Sequence, residues 1–169
     1  KYFDIIKNDF LVKTLAEITL SAARARGWRI ATAESCTGGL ISAALTQIAG
    51  SSDVFDRGFV TYSNDAKIDM LGVHKITLTT QGAVSEAVAQ EMASGAVKNA
   101  LADIAVSVTG IAGPGGSEHK PEGRVCFGLA LKSGTVHSET VEFGAIGREN
   151  VRRATVEHAL NLLHRSITN

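Results

Sequence analysis

Two rhythms of apolar positions run along the chain, one near 3.6 residues and one of about 2, and the switches between them predict its elements. Leu11, Leu15, Ile18 and Ala22 recur at helical spacing with Lys13, Glu17 and Arg24 off that face, and Gly27 stands where a helix C-terminus favours glycine. The apolar run Trp28 to Ala33 predicts a strand, and the small-residue run Gly38 to Ile48 predicts a helix. After the turn Gly50-Ser51-Ser52-Asp53, Phe55 to Tyr62 is rich in aromatic and β-branched residues and predicts a second strand. Ser63 or Asn64 caps a short helix to Leu71, and Ser85 opens a longer one to Ala102 with Val88, Met92, Ala96 and Leu101 as core candidates. Ile104, Val106 and Val108 alternate with Ala105, Ser107 and Thr109, all small or apolar, as a strand buried on both faces requires. Arg124 to Lys132 and Thr135 to Phe143 read as strands joined at Ser133-Gly134 as an antiparallel hairpin, and a helix from Glu149 to Ile167 closes the chain. Strands alternating with helices, plus one hairpin, predict an α/β fold: a three-layer α/β/α sandwich on a mixed, mainly parallel β-sheet.

Composition narrows what such a fold does. At 169 residues, 44% hydrophobic and 20% charged, the chain has the size of a single domain with a substantial core, so residues 1–169 are expected to form one unit. Seventeen basic residues balance seventeen acidic ones, so no bulk positive field recruits nucleic acid or an anionic membrane, and neither is expected as a partner. No apolar run reaches the length of a membrane span. The two cysteines, Cys36 and Cys126, suit a reducing compartment better than a disulfide framework, so a cytoplasmic location is expected. The five histidines form no ligand pair, and no metal site is expected.

Four segments carry candidate chemistry. Ala33-Glu34-Ser35-Cys36-Thr37-Gly38-Gly39 places two hydroxyls and a thiol on a turn between strand and helix. There the first free N–H groups of a helix can hold a phosphate or oxyanion. Ser35 is the candidate nucleophile, Cys36 its rival and Thr37 the expected cap; the bland alternative is a capped helix whose glycines serve tight packing. Phe59 to Lys67 ends a strand and begins a helix; Lys67, if burial lowers its pKa, becomes a general base, with Tyr62 able to orient the proton. Ser107 to Gly116, continuing through Ser117 and Glu118 to Gly123, is a glycine-rich loop able to surround an anionic group. It matches neither the Walker pattern nor the dinucleotide fingerprint, and no cofactor is implied. Arg148, at the start of the last helix, can grip a phosphate or simply be solvated.

These residues resemble a known family. AESCTGG at Ala33 to Gly39, GSS at Gly50 to Ser52, FVTYSNDAK at Phe59 to Lys67, GAVSE at Gly82 to Glu86 and SVTGIAGPGG at Ser107 to Gly116 are similar to motifs of the C-terminal domain of competence/damage-inducible protein CinA, in the same order. The resemblance covers about Leu11 to Leu163, and the first ten residues lie outside it. It implies an α/β/α fold, no metal, and deamidation of nicotinamide mononucleotide to nicotinic acid mononucleotide and ammonia in pyridine-nucleotide salvage. It also implies a homodimer and a version of the domain standing without the molybdopterin-binding-like domain that precedes it in many members. Carried over by motif position, it places Ser35, Ser52, Tyr62 and Lys67 at the reacting end, with Thr37, Gly38, Gly39, Thr109, Gly110 and Arg148 as substrate-binding candidates.

The mechanism expected on that basis has Lys67, assisted by Tyr62, take the proton of Ser35 while N–H groups at the helix start stabilise the oxyanion. Ser52 then shuttles a proton to departing ammonia, and Arg148 or the 110–116 loop holds the phosphate. The alternatives are a nucleotide-binding sensor without chemistry and a catalytically idle interaction domain.

Overall fold

The order of the strands decides where a site can form. In the computed structural model, which describes residues 2–117 and 119–169 and the side chains from residue 9 onward, five strands lie in one sheet in the order β2-β1-β3-β4-β5. They span β1 Ile30–Glu34, β2 Phe55–Val60, β3 Ile104–Gly110, β4 Arg124–Leu131 and β5 Val136–Glu142. β1 pairs parallel with both β2 and β3, whereas β3–β4 and β4–β5 are antiparallel, so β4 alone runs against the rest. The predicted β4–β5 hairpin is present; the antiparallel β3–β4 pairing is additional. It makes the glycine-rich loop a return between neighbouring strands, part of which, Glu118, lies outside the described residues.

Among the described residues six α-helices flank the sheet: α1 Tyr2–Arg26, α2 Leu40–Thr46, α3 Asn64–Leu71, α4 Lys75–Gln81, α5 Glu86–Asn99 and α6 Arg148–Thr168. On one face Leu15 and Leu20 of α1, Ile41 and Leu45 of α2, and Leu160 and Leu163 of α6 pack with Ile30, Val106, Val108 and Phe127. On the other, Leu71, Leu78, Val88, Met92 and Ala96 pack on Ala31, Ala33 and Ala105. The alanines on that face admit α5 closely: the Ser107 hydroxyl donates to the Ala89 carbonyl at 2.5 Å. A Cβ at Gly95 would run into the Leu71 carbonyl, so glycine is required where α3 and α5 meet.

Helix ends follow local chemistry. Gly27, at φ +69°, lets its own N–H reach the Arg24 carbonyl and the Trp28 N–H reach Ala23, the double bond of a left-handed C-terminal cap. Ser63 and Ser85 cap α3 and α5 by accepting from Ala66 and Val88 N–H. α4 was not predicted, because Leu78 is its only buried side chain and no helical period precedes it.

Candidate active site

β1 and β2 both deliver their C-terminal ends to one edge of the sheet. Thr61 N–H donates to Glu34 carbonyl at 2.9 Å and Ser35 N–H to Val108 carbonyl at 3.0 Å, so the ladder runs past the strand ends and holds the Ser35 turn rigidly. β1 points alternate side chains to opposite faces: Thr32 and Glu34 meet α2, and Ser35 emerges on the side of α3 and α5. α3 begins just after β2 and brings Lys67, in its first turn, back over this edge.

The Lys67 ammonium group lies 3.0 Å from Ser35 Oγ and donates to the Thr61 carbonyl at 2.8 Å, with a longer contact to the Tyr62 carbonyl at 3.5 Å. Lys67 is only 1% exposed, and burial lowers its pKa from the ordinary 10.5 to about 8. All three of its hydrogen-bond partners among the described residues are neutral oxygens and none is a carboxylate, so no ion pair offsets the cost of burying its charge. A lysine in that state can act chemically as a base toward a hydroxyl within hydrogen-bond reach.

Around this pair lies a cleft of about 340 Å³, lined by Cys36, Tyr62, Asn64, Ala83, Val84, Thr109, the 110–117 segment and Arg148. Among its described lining residues the charged side chains are Lys67 and Arg148, both cationic, and no carboxylate is present. The charge of this described lining therefore favours an anionic ligand. Arg148 stands at the first position of α6 and donates to the Gly113 carbonyl at 2.8 Å and to the Tyr62 hydroxyl at 3.1 Å. The loop opposite is pinned from outside: Lys120 donates to the Gln81 and Val84 carbonyls at 2.8 and 2.6 Å, and Glu122 accepts from Gly115 N–H at 2.8 Å.

The structure thus brings Ser35, Lys67, Tyr62, Thr109, Gly110 and Arg148 to one cleft, and it places the other candidates outside its lining. Ser52 sits in a 3-10 turn before β2, whereas Lys67 follows β2; the six-residue strand between them spans about 20 Å, so Ser52 is no part of the cleft this chain forms. The Thr37 hydroxyl is fully buried and donates to Glu34 Oε1 at 2.7 Å rather than facing a ligand. Gly38 and Gly39, at φ +59° and +105°, shape the turn and do not line the cleft. Gly110 does line it, but a Cβ there would stand 2.6 Å from Val125 Cγ2, so strand pairing already demands glycine.

The helix-start N–H groups expected to hold an oxyanion are engaged. Ile41 and Ser42 N–H donate to the Glu34 carboxylate at 2.8 and 3.0 Å, and the Ser42 hydroxyl adds a bond of 2.7 Å. Glu34, with no exposure at all, therefore satisfies these N–H groups of α2 from the end of β1 and anchors the turn, whose N-cap position is Gly39. Its sequence signal was an acidic residue ending a strand otherwise apolar or small. Arg152 braces the same turn from α6, donating to the Cys36 and Thr37 carbonyls at 3.2 Å each, and nothing in its helical pattern set it apart. The Tyr62 hydroxyl accepts from Arg148, and it is the Tyr62 backbone carbonyl that meets the Lys67 ammonium group. Cys36 lines the cleft, but burial pushes its thiol up to about 12, so it carries no thiolate near neutrality.

Fold and site together define a class: an α/β/α protein with a serine at a strand end, hydrogen-bonded to a buried lysine in a cationic cleft. The family model for the CinA C-terminal domain matches residues 12–167, and the chain belongs to that family. It is 56% identical to the nicotinamide-nucleotide amidohydrolase PncC of Enterobacter agglomerans, covering 83% of this chain and 87% of that one. It is 52% identical to the PncC of Escherichia coli K12, covering 88% and 90%. A putative competence-damage inducible protein of Caldicellulosiruptor saccharolyticus is 47% identical over 93% of this chain, which spans only 38% of that longer protein. Among solved structures, a competence/damage inducible protein from Agrobacterium tumefaciens superposes with a TM-score of 0.90 at 51% identity, covering 94% of this chain and 96% of that one.

Proposed function

We propose that the chain is an amidohydrolase that converts nicotinamide mononucleotide to nicotinic acid mononucleotide and ammonia. The observation that carries this reading is the 3.0 Å contact between Ser35 Oγ and a lysine whose pKa burial lowers to about 8, in a cleft whose other charge is Arg148. The amidohydrolases named above, similar to this chain over most of its length, support the substrate.

In this mechanism neutral Lys67 takes the Ser35 proton as Oγ attacks the carboxamide carbon, which the cationic pyridinium makes more electrophilic. The tetrahedral intermediate then collapses: the C–N bond breaks, and the ammonium of Lys67 returns its proton to the departing nitrogen, releasing ammonia. Lys67, neutral again, accepts a proton from water as that water attacks the acyl-enzyme. The new acid and free Ser35 result, with the serine re-protonated from Lys67. One lysine thus performs both transfers, and Ser52 is not needed as a shuttle. Arg148 holds the phosphate at a fixed distance from Ser35, which separates the mononucleotide from free nicotinamide.

The test is production of ammonia and nicotinic acid mononucleotide by the purified protein, run with EDTA and beside free nicotinamide. Mononucleotide-specific turnover is expected and is retained under chelation; a folded protein that releases no ammonia would overturn the reading.

A further inference from the structure

Where α4 passes into α5, the carbonyls of consecutive residues all accept hydrogen bonds from side chains. Lys120 Nζ donates to Gln81 and Val84 at 2.8 and 2.6 Å, the Ser85 hydroxyl to Gly82 at 2.9 Å, and the Thr109 hydroxyl to Ala83 at 2.8 Å. Gln81 ends α4, and its carbonyl is one of the orphan acceptors that a lysine at a helix C-terminus satisfies. Thr109 and Lys120 stand on either side of the glycine-rich loop, so the loop is fastened to one short segment at both of its ends. Between the fastenings it doubles back. Ser117 and Lys120 exchange backbone hydrogen bonds at 3.0 and 2.8 Å, and Gly115 N–H donates to Glu122 at 2.8 Å. A Cβ at Gly113 would run into the Glu122 carboxyl group and one at Gly116 into the Lys120 carbonyl, so the inner run 113–117 lies flat on the outer run 120–122.

The inner run lines the cleft, as do Ala83 and Val84 on the fastened segment, whereas Lys120 stands behind both. Pro114, Gly115, Gly116 and Ser117 are exposed, so packing does little to place this wall and its order comes from hydrogen bonds. We infer that Lys120 is a positioning residue for substrate binding, a latch that joins the 113–117 wall to the 83–84 wall from outside the cleft. This rests on the activity proposed above and deepens it. Without the latch the loop is tied to the 81–84 segment through Thr109 alone, and the substrate must then order the wall as it binds, at a cost in affinity.

The experiment compares wild type, Lys120→Met and Lys120→Arg in ammonia release from nicotinamide mononucleotide and in amide hydrogen exchange of the free protein. Lys120→Met keeps the stem and removes the donors. Its KM is expected to rise about tenfold, the scale of a lost hydrogen bond from a charged group, with kcat within about twofold of wild type. The pH midpoint of kcat stays in place, because the base at Lys67 is untouched. Exchange at 110–117 quickens, while that of the Ser35 turn and of α3 stays as in wild type. Lys120→Arg still carries donors for both carbonyls and recovers most of the lost affinity and protection. An unchanged KM in Lys120→Met would overturn the inference whatever the exchange shows. A fall in kcat with a displaced pH midpoint would also overturn it, by placing Lys120 in the reacting machinery. Wild-type protein that releases no ammonia would instead sink the functional reading, while exchange still decides whether Lys120 holds the loop, so the two failures are distinguishable.

Discussion

Ser35 Oγ and Lys67 Nζ stand 3.0 Å apart although they lie 32 positions apart in sequence, and among the described residues Ser35 is the only side chain that Lys67 touches through a hydrogen bond. The pair is made by topology. Parallel pairing of β1 with β2 brings the Ser35 turn and the start of α3 to the same sheet edge, and the ladder bond from Thr61 to Glu34 locks them together.

Removing either partner separates chemistry from folding. Lys67→Met keeps the length and volume of the buried stem and discards a desolvated ammonium, so the melting temperature is expected to stay within a few degrees or rise. Ammonia release should fall about a thousandfold or more, and Ser35→Ala should fall as far, because nucleophile and base act as a unit. Ammonia assays with thermal melts of the same preparations check this. A Lys67→Met protein with near wild-type rate would remove lysine from the mechanism.

The pH profile follows from the same lysine. Its neutral form is the base, and burial lowers its pKa to about 8, so kcat/KM should rise about tenfold per pH unit below that value and level off above it. Cys36, the other titratable group beside it, is held up to about 12 and stays a thiol throughout this range. Stability carries the matching sign. The folded pKa lies below the unfolded 10.5, so the unfolded chain binds more protons between about 8 and 10.5, and stability from this group rises with pH across that window. It is fully present above 10.5 and is lost as pH falls through about 8. Chemical denaturation of wild type and Lys67→Met across pH 7 to 10 measures it directly; parallel curves for the two proteins would contradict the assignment.

Cys36 is the test of nucleophile identity. With its thiol pushed up to about 12, Cys36→Ala is expected to retain turnover within about threefold of wild type, and iodoacetamide at pH 8 should modify it slowly. Rapid alkylation that substrate prevents, together with loss of activity in Cys36→Ala, would move the reaction from Ser35 to the thiol.

How much of this was legible in the sequence depended on the range of the interaction concerned. The strand–turn–helix around Ser35 and the cap at Ser63 are local, and the apolar rhythm predicted both segments. The five strands were also predicted, with ends shifted by no more than two residues, because Ile104 to Thr109 and its neighbours are uniformly small or apolar. Side-chain direction was not legible. Tyr62 lies five residues before Lys67 and looked like its helper, yet the tyrosine ring turns outward to Arg148, 86 positions away. Ser52 looked close to the site by motif order, but a helix between two parallel strands runs back along the sheet and leaves the next turn at the far end. That placement was within reach of the predicted topology alone.

Glu34 supplies the prediction that reaches furthest into the turn. Its buried carboxylate accepts four hydrogen bonds: from the Thr37 hydroxyl, the Ile41 and Ser42 N–H groups and the Ser42 hydroxyl. No cation is among them; four donors and the start of α2 solvate the charge. Glu34→Gln has nearly the same shape but replaces one oxygen with an NH₂ group that must face donors, so at least one buried N–H or O–H loses its partner. The expected cost is about 2 kcal/mol or more, a fall of roughly 5 °C in melting temperature for a chain of this size. Activity should fall by more than stability accounts for, because the released turn carries Ser35 at its head. The check is a melt of Glu34→Gln beside its kcat at a temperature where the variant is fully folded. A stable variant with full kcat would show that the turn is held by Arg152 and the strand ladder alone.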